Sequence, residues 1–349
     1  TKQYGNSGKG IMNILFFSRL FYPHVGGVEK HVFELSLKLI KKGHKVVVIT
    51  ERYENKLKSQ ETIEGIKVYR IDVKNKSKKL AVWNWLFKNK NLIIDADVVH
   101  CHDVFFWYLP FRLLLPFKKA YTTFHGYEDY PLKSSQIIMH KIAEKFSYGN
   151  ICIGKFIEKW YGTKADYISY GGVNISTSDK RQATSRNSAI FVGRLDEQTG
   201  IETYIKAVKL IRKKIPDFKF EIIGDGKFRK DIEKDFRVQG FKNDPQNYFQ
   251  QYNFAFVSRY LSILEAILAK TLVFAVYDNP LKEDYLRMAP FSRYIVIVSS
   301  PSELVSKVLF YLDNPGKKEK IINDAYQWVK NQTWEEMVNI YLKLWRAKS

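Results

Sequence analysis

The chain has 349 residues, 45% of them hydrophobic, which is enough for two globular domains and excludes a disordered chain. Lysine and arginine number 57 against 36 aspartate and glutamate, a net charge of +21 that points to anionic partners: nucleic acid, acidic lipid or phosphorylated ligands. Only Cys101 and Cys152 are cysteines, which gives no disulfide framework and fits a reducing cytosol; no stretch reads as a signal peptide or membrane span.

Residues 1–11 read as a tag remnant or disordered lead-in, with Met12 as the natural start. The apolar run NILFFS (13–18) predicts a buried strand, and the pair Gly26-Gly27 follows it. EKHVFELSLKLIKKG then places apolar residues at 32, 35 and 39, a helical spacing that ends at Gly43. KVVVIT (45–50) is the next strand, so the chain opens with a βαβ unit and a parallel sheet. Further strands are predicted at 66–71, 97–101, 120–124 and 150–153, with helices over 134–147 and from 154. The polar stretch NISTSDKRQATSRNS (174–188) reads as a linker between a first domain, 12–173, and a second, 189–331. The second series has strands at 189–193, 219–223, 253–257, 271–276 and 294–298, with helices near 199–214, 262–269 and 302–312. Ser300-Pro301-Ser302-Glu303 and Thr333-Trp334-Glu335-Glu336 are capping boxes; the second opens a C-terminal helix within 332–349 that can pack back on the first domain. Two such α/β halves imply a cleft lined by the carboxyl ends of their strands.

Several motifs fall at those strand ends. Gly26-Gly27 lets a backbone approach an anion at a helix N-terminus, or simply makes a tight turn. In FVGRLDEQTG (191–200), Arg194 suits a diphosphate, because a guanidinium fork bonds two oxygens at once; a surface ion pair with Asp196 or Glu197 is the alternative. IIGDGKFR (222–229) carries Gly224 in a loop that fits either a nucleotide contact or a plain turn. In SRYLSILEA (258–266), Ser262, Ile263 and Glu265 open a helix whose N-terminus can receive phosphates while Glu265 accepts from ribose hydroxyls. Ser262 and Glu265 fit a capping box equally well. His100 and His102 share one strand face, and His125-Gly126 follows an apolar strand at a functional position. These histidines alone are too few for a metal site, so no metal is expected.

In this order, ILFFSRLFYPHVGGVEKHV, DVVHCHD, FHGYEDYP, SYGGVN, FVGRLDEQTG, EIIGDGKFR, VQGFKND and SRYLSILEA resemble glycosyltransferase family 4, over nearly the whole chain from residue 12. The resemblance implies the GT-B fold, two Rossmann-like domains facing a cleft, and retaining transfer from a nucleoside-diphosphate sugar without a metal. It places Gly26 and Gly27 beside the donor phosphates and His125 at the transferred sugar. Arg194 would bind the diphosphate, Glu265 the ribose, and the backbone near Gly240 the base. Two positions depart from the family pattern. Thr199 stands where a lysine is usual five residues after the arginine, with Lys227, Arg229 or Arg259 as possible replacements. Val257 lies eight residues before Glu265, in a shortened segment that lacks the family's first glutamate.

The segments 74–90 and 105–119 interleave lysines with Trp83, Trp85, Leu86, Phe87 and further aromatics. They fit either an anionic membrane surface or a buried helix with a basic edge. The expected protein is a cytoplasmic enzyme, peripheral at the inner face of the membrane, acting on a glycan or lipid-linked acceptor in cell-envelope synthesis. A sugar-nucleotide epimerase and an inactive nucleotide-binding relative are the alternatives. No nucleic-acid motif accompanies the charge.

Overall fold

A computed structural model describes residues 10–73, 78–127, 129–175, 185–242 and 246–347, with only the backbone of Gln246. The lead-in through residue 9, Lys74, Lys76, Asp244 and the linker residues 176–184 lie outside the described residues.

The first domain alternates β1 (Asn13–Ser18), α1 (Gly27–Lys41), β2 (Lys45–Glu51), β3 (Gln60–Ile63), β4 (Ile66–Ile71), α2 (Lys78–Lys88), α3 (Asn91–Ile94), β5 (Val98–His102), α4 (Phe105–Leu114), β6 (Ala120–Phe124), α5 (Ser134–Phe146), β7 (Asn150–Ile153), α6 (Phe156–Tyr161) and β8 (Tyr167–Ser169). Its sheet runs β3-β4-β2-β1-β5-β6-β7-β8, parallel except for the edge strand β3. Helices cover both faces of such a sheet, so its central strands are apolar throughout: β1, β5, β6 and β7 are buried almost end to end.

The second domain holds β9 (Ser188–Val192), α7 (Ile201–Lys214), β10 (Lys219–Ile223), α8 (Arg229–Ile232), α9 (Gln246–Phe249), β11 (Phe254–Phe256), α10 (Tyr260–Leu268), β12 (Leu272–Val276), α11 (Pro280–Arg287), β13 (Val296–Val298), α12 (Pro301–Asp313) and α13 (Pro315–Val329). All five strands are parallel, in the order β10-β9-β11-β12-β13. The cap at Ser300 forms as its sequence predicts, its hydroxyl accepting from the Glu303 amide at 3.2 Å.

The last helix, α14 (Trp334–Ala347), crosses back to the first domain. Thr333 bridges to Val173, and one face of α14, including Trp334, Met337, Tyr341 and Trp345, is buried against α1 and β8. Lys38 of α1 pairs with Glu335 at 2.6 Å.

Both sheets reverse their order of winding beside their first strand, between β1 and β5 in one and between β9 and β11 in the other. Loops leaving those four strands part to opposite sides, and a crevice opens between them. The two crevices meet. Lys30 of α1 reaches Glu265 of α10 at 2.5 Å, and the Arg259 guanidinium packs at Gly126.

Candidate active site

Four elements of the first domain build one wall. The loop after β1 carries Gly26 at the N-cap of α1, with extended backbone at φ −172° that any residue adopts. A Cβ on Gly26 would meet only the flexible Glu29 carboxylate, and one on Gly27 would meet nothing. Neither backbone conformation nor close backbone contact therefore demands glycine at these two positions. Glu29 instead holds His24 at 2.9 Å.

His125 follows β6. Its amide donates to the Asp103 carboxylate at 2.9 Å, and Asp103 takes the left-handed φ of 60° that a non-glycine residue adopts only under constraint. Its Nε2 lies 2.8 Å from Nδ1 of His102 at the end of β5. His31 of α1 completes a trio, its ring edge-on to His125 at 4.7 Å between centroids. The candidate ligand nitrogens of His31, His102 and His125 all lie within 4.8 Å of one another. Sequence reasoning misses His31, which reads as one more residue in an amphipathic helix; the signal available is its place in EKHV, just after the glycine pair.

Burial strips these imidazoles of their charge. Desolvation brings His31 down to about 3 and holds His100, His102 and His125 well below the ordinary histidine range, with the neighbouring histidines adding to the effect at the latter three. The neutral rings then have defined tautomers. Trp345 Nε1, which can only donate, bonds His100 Nδ1 at 3.0 Å. The His100 proton therefore sits on Nε2 and is donated to Thr123 Oγ1 at 2.7 Å. Thr123 donates to Tyr341 Oη at 2.8 Å, and Tyr341 to His31 Nε2 at 2.9 Å. His31 thus carries its proton on Nδ1. His100 is a structural member of this chain, and the Nε2 of buried His102 has no hydrogen-bond partner.

The second domain supplies the opposite wall. Arg194 leaves β9 half exposed, its Nε 3.1 Å from Asp196. Thr199 is buried and donates to the carbonyls of Arg194 and Asp196, both at 2.8 Å, closing the arginine's own loop. Gly224, at φ +150°, lies against Gly193, where a Cβ would stand 1.8 Å from the Gly193 carbonyl oxygen. Its amide donates to Gly240 O at 2.9 Å, so three loop backbones converge there with no room for a side chain. Lys227 is half exposed and ion-paired with Glu197.

The capping-box reading of Ser262 and Glu265 is corrected. Helix α10 begins at Tyr260 with Arg259 as its N-cap, and no side chain caps it. Glu265 lies a full turn further in, nearly buried, and faces Lys30 rather than the helix end. Ile263 is core: its side chain is buried and its amide bonds Arg259 O at 2.9 Å. Ser262 is partly exposed on the same turn. Val257 lies in the core and continues the ladder to Phe274 O, leaving a three-residue link, 257–259, between β11 and α10.

Sequence comparison matches the model of Glycosyltransferase Family 4 over residues 25–168 and that of Glycosyl transferases group 1 over 176–328. An uncharacterized glycosyltransferase of Methanocaldococcus jannaschii is 24% identical over 358 residues, spanning 94% of this chain and 96% of its own. A phosphatidylinositol N-acetylglucosaminyltransferase subunit of Homo sapiens is 34% identical over 98 residues, 27% of this chain and 20% of the human one. The gpi3 subunit of the same transferase in Schizosaccharomyces pombe is 24% identical over 62% of this chain, and the match spans about half, 52%, of its own length. Among solved structures, sucrose-phosphate synthase from Thermosynechococcus elongatus superposes with a TM-score of 0.75 at 15% identity, covering 96% of this chain and 98% of that one. TarM superposes at 0.72 and 13% identity, over 97% and 99%.

Proposed function

As this chain is a glycosyltransferase family 4-like protein of the GT-B fold, we propose that it moves a sugar from a nucleoside-diphosphate donor to a glycan or lipid-linked acceptor, with retention of configuration. The observation that carries this reading is the meeting of the two crevices. Arg194 and Glu265 come from one side and His125 from the other, as the loops of two switch points converge.

In this reading the bond from the anomeric carbon to the diphosphate breaks and the acceptor hydroxyl adds on the same face. The hydroxyl proton passes to the departing phosphate oxygen. Charge grows on the diphosphate, and Arg194 stabilises it by charge-assisted hydrogen bonds. Glu265 exchanges its pairing with Lys30 for the ribose hydroxyls, Gly224 and Gly240 line the base side with Lys227 at the rim, and neutral His125 lies against the transferred sugar. Gly26 and Gly27 admit the phosphates and the acceptor. In this reading turnover is metal-independent, since the sequence carries no acidic metal-binding motif. Activity that survives EDTA is the expected result; an absolute need for Mg²⁺ or Mn²⁺ is the contrary one.

A lipid-linked acceptor is favoured by the human and fission-yeast relatives, both named as subunits of a phosphatidylinositol N-acetylglucosaminyltransferase. A surface of the first domain fits that choice. Leu80, Phe87, Leu113, Leu114 and Phe117 are exposed beside the exposed Lys78, Lys79 and Lys88, on the adjoining α2 and α4 and the loop after α4. Apolar side chains among lysines suit the interface of an anionic bilayer, which supports a peripheral attachment there. No helix among the described residues is long and apolar enough to cross a membrane.

The test is calorimetric titration with UDP, GDP and ADP on the parent, Arg194→Ala and Glu265→Ala. One nucleotide should bind, and each variant should lose roughly 1–3 kcal/mol, as for hydrogen bonds to charged groups. No binding by a folded parent would sink the reading. Because Val257 and Thr199 replace two charged positions of the family pattern, binding without turnover would instead assign an inactive nucleotide-binding relative. Product NMR with donor alone separates an epimerase.

A further inference from the structure

We propose that Arg259 is an anion-binding residue that completes the diphosphate clamp, in place of the lysine that position 199 lacks. The proposal rests on the nucleotide-sugar reading and names a residue of that same site.

Thr199 cannot contribute: both of its hydroxyl contacts go back to carbonyls of its own loop. Of the cations near the cleft, Lys227 is already paired with Glu197, and Arg229 is held by Asp225 and Glu233, each at 2.8 Å. Lys282 is buried with its Nζ on the Ser258 carbonyl, and desolvation holds it well below the ordinary lysine range, with the Arg259 charge adding to the effect. A group so placed gives up its own charge readily.

Arg259 differs from all of these. It stays protonated in any protein environment. Among the described residues nothing hydrogen-bonds to its buried Nη1. Its guanidinium lies over the faces of Tyr127 and Tyr285, at 5.7 and 5.4 Å from the ring centroids. Cation–π contacts of this kind offset part of the desolvation of a guanidinium but do not satisfy its N–H groups. Among the described residues no carboxylate stands within ion-pair distance of it. Asp196 is felt across the space between, but one of its oxygens is bound to Arg194. Among the described residues Asp196 is ion-paired with Arg194 and not with Arg259. A buried cation without a partner is among the costlier arrangements in a protein interior, and a chain keeps one where a ligand supplies the missing charge.

The position matches the ligand. Arg259 Nη2 lies 3.8 Å from where a Cβ on Gly126 would stand, next to His125, while Arg194 rises from the neighbouring strand end and Asp196 joins the two. A diphosphate between them would meet one guanidinium from the end of β9 and one from the end of β11.

The experiment titrates inorganic pyrophosphate and UDP into the parent, Arg259→Met and Arg259→Lys, with melting temperatures of the ligand-free proteins. Arg259→Met should bind both ligands at least tenfold more weakly while its ligand-free melting temperature stays level or rises, because an unpartnered buried charge has been removed. Arg259→Lys should recover part of the affinity. If Arg259→Met binds pyrophosphate and UDP within twofold of the parent, the guanidinium is structural, and the proposal falls while the donor-site reading stands. If the parent binds neither pyrophosphate nor any nucleoside diphosphate, the donor-site reading fails and takes the proposal with it. Should Arg259→Met not fold, Arg259→Gln decides by the same two outcomes.

Discussion

Acidification should weaken this protein well before its carboxylates titrate. His31, His100 and His102 are 2%, 0% and 1% exposed and are held neutral by burial. Unfolded, each has an ordinary pKa near 6.5. Below that pH the unfolded chain takes up protons that the folded one refuses, so stability is full above about pH 7 and falls as pH drops. Between pH 7 and pH 5 each histidine costs about 2 kcal/mol, and the three together about 6 kcal/mol, by proton linkage. A whole domain is stable by about 5–15 kcal/mol, so the loss is a large share of the total. Their closeness sharpens the effect: a proton on one ring repels protons from the others, and the chain from Trp345 to His31 has no place for an extra one. Glu221, whose carboxyl is pushed up mainly by burial, acts in the opposite sense, but it is a single half-buried group. Urea denaturation at pH 7, 6 and 5, at constant ionic strength, measures the loss. A change below about 2 kcal/mol over that range, less than one buried histidine's linkage, would refute the neutral-cluster argument. His102→Gln should lessen the loss between pH 7 and pH 5 by about 2 kcal/mol, because one protonation is removed.

Three other outcomes are expected. Gly224→Ala should cost at least about 2–3 kcal/mol in urea unfolding, since its Cβ would overlap the Gly193 carbonyl at a φ of +150°; a cost below about 1 kcal/mol contradicts the close-approach account. Tyr341→Phe should cost about 1–3 kcal/mol by leaving His31 Nε2 and Thr123 Oγ1 without their shared partner, and thermal melting of the pair of proteins reads it. The parent should float with liposomes rich in anionic lipid and not with neutral ones, and Leu114→Ser with Phe117→Ser should reduce flotation several-fold; equal non-binding to both lipids removes the membrane assignment.

The alternating order of strands and helices is legible because parallel strands buried on both faces read as unbroken apolar runs, as NILFFS and AYTTF do. Edge strand β3, QETI, is not: it is short, half-exposed and antiparallel, and nothing in it is continuously apolar. Helix α13 escapes notice because its first turns, PGKKEK, read as a charged loop, although Ile322, Ala325 and Val329 keep a helical spacing. At the site, strand-end residues such as Arg194 and His125 can be found because topology alone places them there. The contacts between domains cannot. Lys30 and Glu265 are 235 positions apart, and Tyr341 reaches the histidines only because α14 crosses the whole molecule. Single side chains of ordinary type, His31 and Lys30 on a helix read as amphipathic, carry no local signal of such partners.

The second departure from the family pattern, at Val257, comes down to one short piece of backbone. The link between β11 and α10 is three residues long, and in it Val257 still belongs to the sheet. That leaves no loop there to carry a carboxylate. The same shortness starts α10 at once, with Arg259 at its N-cap, and sets that guanidinium against Gly126 and between Tyr127 and Tyr285. Tyr260, the next residue, is pinned by its stacking on Tyr285 at 3.9 Å and by its amide's bond to the Tyr285 hydroxyl at 2.9 Å, which fixes the backbone beside Arg259. A segment that loses an acid thus gains a fixed cation at the mouth of the crevice. If Arg259 takes the place of a cation at position 199, as proposed, both positions act on one anion where the loops after β9 and β11 diverge, and the electrostatics of the cleft then follow from its shortened backbone rather than from any one motif.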